Sequence, residues 1–125
     1  MPTCDSLKFS PPAPCASVTL RNPDTGVTQP NIWMLLDTGS DATLVPHAAA
    51  GSIGAMTEQD RGYEIMGFDG KTSIAHAARL DLLFLGRTFK GRFILTDNEY
   101  GILGRNILNH VSILLDGPSL TWDER

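Results

Sequence analysis

Clusters of glycine, proline, asparagine and aspartate recur about every ten residues along this chain, and they divide it into short apolar or alternating segments. Segments this short leave little room for long helices. Regular turn signals between short strands are typical of an all-β barrel or sandwich. The chain has 125 residues, which is about the size of one domain.

The first half of the chain predicts three strands and the start of a helix. Ala16–Leu20 alternates as a half-buried strand does, and Ile32–Leu36 is a continuous apolar run that favours a buried strand. Thr43–Val45 predicts a further short strand, which Pro46 stops. A short helix is expected to begin over residues 46–50, because proline is tolerated in a first helical turn.

The second half predicts three β-hairpins and one short helix, at Arg105–His110. The hairpins are Tyr63–Met66 with Thr72–Ala78 around Gly67-Phe68-Asp69-Gly70, Leu80–Leu85 with Phe89–Leu95 around Gly86-Arg87, and Val111–Leu115 with Leu120–Trp122 around Asp116-Gly117-Pro118. Trp33 is expected in the core. Residues 1–14 hold four of the eight prolines and predict a Pro-rich N-terminal tail or arm, with residues 15–125 as the domain.

Composition excludes several classes of function. Lys and Arg number 10 against 14 Asp and Glu, for a net charge of −4, and the cations are scattered along the chain. Nucleic-acid binding therefore has no electrostatic support. No apolar run is long enough for a membrane span, and no signal peptide is recognisable, so a cytoplasmic location is expected.

The cysteines and histidines predict neither a disulfide framework nor a metal site. Cys4 and Cys15 form no C-x-x-C motif and are expected as free thiols in a reducing compartment. The three histidines, His47, His76 and His110, lie far apart in sequence and lack the spacing of metal ligands. No metal is expected.

The tripeptide Asp-Thr-Gly occurs twice, at 24–26 and 37–39. Asp24 follows Asn22-Pro23 in a polar stretch and reads as a turn residue. Asp37 ends an apolar strand, where a carboxylate is held rigidly and is partly desolvated. Such a group is costly to keep unless it is used, so Asp37 is the candidate catalytic residue.

A second motif, Ile102-Leu103-Gly104-Arg105-Asn106, fits the first. Together with Leu35-Leu36-Asp37-Thr38-Gly39-Ser40, it resembles the retropepsins, the single-lobed aspartic proteases of retroviruses and their cellular relatives. The hairpin at 67–70 lies between the two motifs, where that family has its flap. The resemblance covers about residues 15–125. It implies a small closed acid-protease barrel with a flap hairpin and one short C-terminal helix.

The resemblance also implies a mechanism. Two neighbouring aspartates share one proton: the ionised one activates water, and the protonated one hydrogen-bonds the scissile carbonyl. This chain offers one credible copy, Asp37. The implied enzyme is therefore a C2 homodimer with Asp37 from each chain, a peptide or protein substrate and no cofactor.

Support for the catalytic loop is implied at the residues after Asp37. Thr38 would hydrogen-bond to the partner loop, and Gly39 would allow close backbone approach. The Ser40 hydroxyl would donate to the Asp37 carboxylate, which favours its ionised form and predicts an acidic activity optimum. Alternatively, Ser40 caps local backbone. Asp41 and Arg105 would form an ion pair that braces the loop, or would be unrelated surface charges.

The resemblance assigns further roles to residues beyond the loop. A flap of Gly67, Phe68, Asp69 and Gly70 would close over substrate, although it could equally be an ordinary hairpin. The substrate pocket is expected to include Leu44, Ile65, Met66 and Ile102, each of which could instead belong to the core. The C-terminal hairpin would form the dimer interface with Trp122 as its anchor.

Two other functions compete with an aspartic endopeptidase. One is a catalytically idle retropepsin-like fold that serves as a dimerisation or peptide-binding module, because a fold does not guarantee activity. The intact sequence 37–40 argues against it, since an idle copy has no physical reason to keep a buried aspartate. The other is an unrelated small β-barrel with chance motifs, which the ordered set of motifs disfavours.

Overall fold

Short alternating segments and frequent turns give a mostly β chain, 53% strand, in the computed structural model, which describes residues 4–5, 7, 9–66 and 70–125. For residues 5, 59–65, 73 and 74 it describes the backbone alone. The strands in this part of the chain are β1 Cys4–Asp5, β2 Ala13–Arg21, β3 Thr28–Leu36, β4 Leu44–Pro46, β5 Thr57–Met66, β6 Thr72–Phe84, β7 Arg87–Thr96, β8 Gly101–Leu103, β9 Ile113–Asp116 and β10 Thr121–Glu124. The helices are α1 His47–Ser52 and α2 Arg105–Leu108.

Eight of these strands form one sheet, in the order β1-β2-β3-β8-β4-β7-β6-β5. An additional pairing between β2 and β6 closes six strands into a ring, in the order β2, β3, β8, β4, β7 and β6. The all-β closed barrel predicted from the sequence is therefore confirmed. β1 and β5 extend the sheet outside the ring, and β9 and β10 form a separate hairpin.

The core lies inside the ring and is built from alternate residues of its strands, as the two-residue period of a strand requires. Fully buried apolar side chains come from every part of the barrel: Val18, Leu20, Met34, Val45, Leu80, Leu82, Leu103 and Ile107. The expectation that Trp33 is a core residue is wrong, since its side chain is 47% exposed. It lies between the buried Met34 and the partly buried Ile32, so it projects from the opposite face of β3.

Most predicted elements differ in extent from those in the structure, and three differences bear on the topology or the turns. Residues 72–84 form one continuous strand, β6, rather than two strands that separate near Arg79. The turn after it is Leu85-Gly86, because both residues have the positive φ that a two-residue hairpin loop needs. Helix α2 ends at Leu108 instead of His110.

The C-terminal hairpin is attached to the barrel through Trp122. Its side chain is 2% exposed and packs beside Phe84, and its indole N–H donates a 2.9 Å hydrogen bond to the Cys15 carbonyl. Trp122 is thus an internal anchor of the protomer, and its expected role at a dimer surface is wrong. The exposed apolar side chains of this hairpin are Leu114, Leu115 and Leu120.

The N-terminal segment is also joined to the barrel where the structure describes it. Cys4 and Asp5 pair with Pro14 and Ala13, and the Cys4 N–H donates to Leu120 O. Within the described chain, neither Cys4 nor Cys15 takes part in a disulfide. The domain boundary at residue 15 stays a prediction.

A buried ion pair lies where the ring closes. Asp81 of β6 is opposite Arg21 of β2 and opposite Lys90 of β7. Its Oδ2 accepts a 3.0 Å hydrogen bond from Arg21 Nε and lies 3.6 Å from Lys90 Nζ, and the carboxylate is almost fully buried. A buried carboxylate is stable only when it is paired. Asp81 therefore links β6 to β2, with which it closes the ring, and to β7 on its other side.

We expect Asp81→Asn to lower the free energy of unfolding by about 1–3 kcal/mol, because a charge-assisted hydrogen bond is lost while Arg21 and Lys90, which are 32% and 72% exposed, still reach water. Urea unfolding followed by circular dichroism measures this change. Asp97→Asn, at an exposed position, is the matched control and should change stability by less than about 0.5 kcal/mol. Equal effects of the two substitutions would contradict the role of Asp81.

Candidate active site

The loop of residues 37–43 must cross the end of β8, because β8 lies between β3 and β4 in the sheet. At the crossing, Gly104 comes so close to the loop that a Cβ there would be 2.2 Å from the Ala42 carbonyl oxygen and 2.6 Å from its carbon. These neighbours are backbone atoms and cannot rotate away. Only glycine fits at position 104.

Hydrogen bonds attach the loop to the segment that follows β8. The Asp37 N–H donates to Leu103 O at 3.0 Å, and the Arg105 N–H donates to Ser40 O at 2.8 Å. The Arg105 guanidinium donates from Nη1 to Thr38 O at 2.7 Å. The two sequence motifs are therefore in direct contact.

Thr43 is a supporting residue that sequence reasoning missed. Its side chain is buried, and its hydroxyl donates to Asn106 Oδ1 at 2.7 Å and accepts from the Gly104 N–H at 3.0 Å. One hydroxyl thus joins the end of the loop to the first turn of α2. The available signal was a threonine between apolar residues, where a side-chain hydroxyl needs a partner once it is buried.

The Asp37 carboxylate lies at the open side of this loop. It is half-buried, and its Oδ1 accepts a 2.9 Å hydrogen bond from the Gly39 N–H. The bond from the Asp37 N–H to Leu103 continues the strand geometry of β3 through this residue. The side chain therefore projects on the same face as Leu35, two residues earlier.

That face carries a row of partly buried aliphatic side chains. Leu35 lies opposite Ile102, Ile102 opposite Leu44, and Leu44 opposite Ile94, so the row crosses β3, β8, β4 and β7. Paired residues on neighbouring strands share a face. The structure thus brings together Leu44 and Ile102, two predicted pocket residues, and adds Leu35 and Ile94, whose place depends on strand register and could not be read from sequence.

Two expected contacts of the loop are absent. The Ser40 hydroxyl donates to Ala42 O at 2.7 Å and so caps local backbone, which removes the stated reason for an acidic optimum. The ion pairs among the described residues do not include one between Asp41 and Arg105. Both side chains are exposed, and Arg105 instead contacts Thr38 O.

The hairpin predicted as a flap is formed by β5 and β6, which pair as far as Met66 opposite Thr72. Gly70 has φ +79°, a left-handed conformation that glycine adopts without strain. The Met66 side chain is 71% exposed. Gly67, Phe68 and Asp69, and the side chain of Ile65, lie outside the described residues.

The first Asp-Thr-Gly sequence forms a turn. Its Asp24 N–H and Thr25 N–H donate to Asn22 Oδ1, and Asn22 is buried. In the described part of the chain, no three His, Cys, Asp or Glu side chains are placed to hold a metal ion. No helix there is both long and apolar enough to cross a bilayer.

The closed six-strand barrel with few short helices is consistent with a retropepsin-like all-β fold. Among solved structures, the chain is similar to EIAV protease complexed with the inhibitor HBY-793. The TM-score is 0.58 at 25% sequence identity, and the match covers 85% of this chain and 91% of that chain. The chain therefore has the retropepsin-like fold. No protein-family model and no curated protein matches the sequence.

We expect Gly104→Ala to unfold or strongly destabilise the protein, by about 1–3 kcal/mol or more, because the new methyl group overlaps the Ala42 carbonyl. Gly51→Ala is the matched control. A Cβ at Gly51 meets nothing within 4 Å, and alanine in helix α1 should leave stability unchanged or raise it by up to about 1 kcal/mol. Thermal unfolding of both variants measures the difference, and a Gly104→Ala protein as stable as wild type would contradict the tight crossing.

Proposed function

We propose that this protein is an aspartic endopeptidase that acts as a homodimer, with Asp37 from each chain at the symmetry axis. The observation that carries the proposal is the position of Asp37: a half-buried carboxylate on an immobilised loop, on the same face as an apolar row. The likeness of the fold to a retroviral protease supports the same conclusion.

The proposed chemistry uses water as the nucleophile. Two carboxylates about 3 Å apart cannot both be ionised, so the pair holds one proton. The ionised aspartate takes a proton from water as it attacks the scissile carbonyl, and the protonated aspartate stabilises the developing oxyanion. The Gly39 N–H and the backbone contacts of Arg105 keep each loop in place for this purpose.

A second chain is needed because one protomer supplies one such loop. The proposed dimer interface includes the C-terminal hairpin, where the side chains of Leu114, Leu115 and Leu120 are 54%, 57% and 44% exposed. Apolar side chains that are solvated in the protomer are typical of surfaces that become buried on association. Thr38 and the exposed Asp41 and Arg105 would then lie near the partner loop.

The proposed substrate is an extended peptide that lies along the face of Asp37. Leu35, Leu44, Ile94 and Ile102 would contact its apolar side chains, since ligand sites are lined mainly by apolar groups. The β5–β6 hairpin, with Gly70 near its end, would act as the flap. A cytoplasmic location, expected from the sequence, stays a prediction.

We expect Asp37→Asn to reduce cleavage of an unfolded test protein by about 10²–10⁴-fold or more between about pH 4 and pH 7, because the amide cannot take a proton from water. Asp24→Asn is the matched control, since Asp24 precedes the same Thr-Gly pair but lies in a surface turn. It should cleave at the wild-type rate. If both variants keep full activity, a different catalytic group is responsible; if the folded wild-type dimer cleaves nothing, the idle binding module is favoured.

We expect Leu115→Glu to weaken dimerisation and to make the specific activity depend steeply on protein concentration, because it places a charge in the proposed interface. Analytical ultracentrifugation measures the dimer, and activity is compared over a dilution series. Val27→Glu is the control, because the Val27 side chain is exposed to a similar degree but lies in the turn between β2 and β3, outside the C-terminal hairpin. A dimer unaffected by Leu115→Glu would place the interface elsewhere.

A further inference from the structure

Four of the ten Lys and Arg residues, scattered in sequence, come together on one face of β2, β6 and β7: Arg21, Arg79, Lys90 and Arg92. Arg87 lines the same groove as Lys90 and Arg92 from the other face of β7. In the described part of the chain, the acidic groups that pair with them are Asp81 and Glu58. Among the side chains that the structure describes there, cations therefore outnumber carboxylates, on a chain whose net charge is −4. Cations that are far apart in the sequence are thus neighbours in the structure.

The cations flank a free strand edge. β7 pairs with β6 from Arg87 to Ile94, but on its other side it pairs with β4 only at residues 94–96. No other strand in the described chain covers residues 87–93 on that side. Helix α2 lies across a groove of about 510 Å³, which is lined by consecutive residues of β7 and by Asn106, Ile107 and His110.

Gly91 helps to keep this groove open. It lies opposite the buried Leu80 and between Phe89 and Phe93 on the same face of β7. Its φ is not left-handed, and an added Cβ would meet nothing within 4 Å. Neither backbone conformation nor close packing therefore requires a glycine, and its effect is to leave the strand edge accessible from the groove.

The arrangement of two arginines does not serve stability. Arg79 and Arg92 lie directly opposite each other on β6 and β7, and both are exposed. Like charges at such positions destabilise a sheet. Arg92 Nε is paired with Glu58 at 2.9 Å, whereas Arg79 has no ion-pair partner among the described residues. An anionic ligand would relieve this repulsion.

We propose that the groove is a docking site, separate from Asp37, for an extended peptide segment that carries acidic side chains. The segment pairs along the free edge of β7, as peptides do when they add a strand to a sheet, and Lys90 and Arg92, which share one face of β7, bind its carboxylates. The groove volume suits a short segment. A nucleic acid fits less well, because its phosphates would extend beyond these few cations onto the rest of a protein with a net negative charge, which would repel them. Peptide docking here needs no catalytic activity.

Fluorescence anisotropy tests the proposal with the full-length Asp37→Asn protein, which prevents cleavage of the probe. The probe is a fluorescein-labelled heptapeptide of alternating Glu and Val, and its control has Lys at each Glu. We expect saturable binding of the Glu peptide and at least tenfold weaker binding of the Lys peptide. Amide shifts in NMR spectra should map the Glu peptide to residues 87–93 and His110. Shifts confined to residues 37–44 would show binding in the catalytic cleft and would overturn the proposal.

Two matched pairs of variants separate the groove from general electrostatics. Gly91→Leu fills the groove and should weaken binding about tenfold, whereas Gly91→Ala should leave it nearly unchanged. Arg92→Gln should weaken binding about three- to tenfold, and Lys71→Gln, which removes another exposed charge elsewhere, should not. Equal effects within either pair would overturn the proposal. If a single-stranded oligonucleotide bound more tightly than the Glu peptide and lost its binding in Arg92→Gln, the ligand of the groove would be a nucleic acid and the peptide proposal would be overturned.

Discussion

The close crossing of two backbone segments, at Ala42 and Gly104, determines the rest of this structure. Because a Cβ at position 104 would overlap the Ala42 carbonyl, the loop of residues 37–43 lies directly on the segment that follows β8. Polar groups brought together at this crossing must be paired. The Thr43 hydroxyl and the Arg105 backbone and guanidinium supply the partners. All the contacts that hold the Asp37 loop therefore lie within one protomer and require neither a partner nor a substrate.

Much of this could be predicted from the sequence, for a physical reason. Turn residues and apolar runs are local signals, so the hairpins, the strand that ends at Leu36 and the all-β class followed from them. The link between Asp37 and Gly104 came from the order of motifs shared with a family. Separation of β6 into two strands was wrong because Arg79, a single polar residue on an alternating strand, resembles a turn in sequence but lies on the solvent face.

What the sequence did not show depends on contacts between distant residues. The side on which Trp33 projects follows from β3 register, and the burial of Trp122 follows from its hydrogen bond to Cys15, which is far away in the chain. The Ser40 hydroxyl had two possible acceptors, and sequence alone cannot choose between a carboxylate and a carbonyl two residues away. The apolar row beside Asp37 likewise exists only because four strands meet in a definite register.

The same crossing explains the free edge of β7. β4 and β7 run parallel from Leu44 and Ile94 onward, and an uninterrupted β4 would continue backward along residues 87–93. The chain before Leu44 instead turns away to form the Asp37 loop, where Thr43 is bound to α2 through Asn106. The short helix α2 then faces the uncovered strand without filling the space between them. A fold that frees residues 37–43 for catalysis therefore also leaves a strand edge unpaired. An unpaired edge must be protected or used, and here it is flanked by cations, with a glycine at its centre.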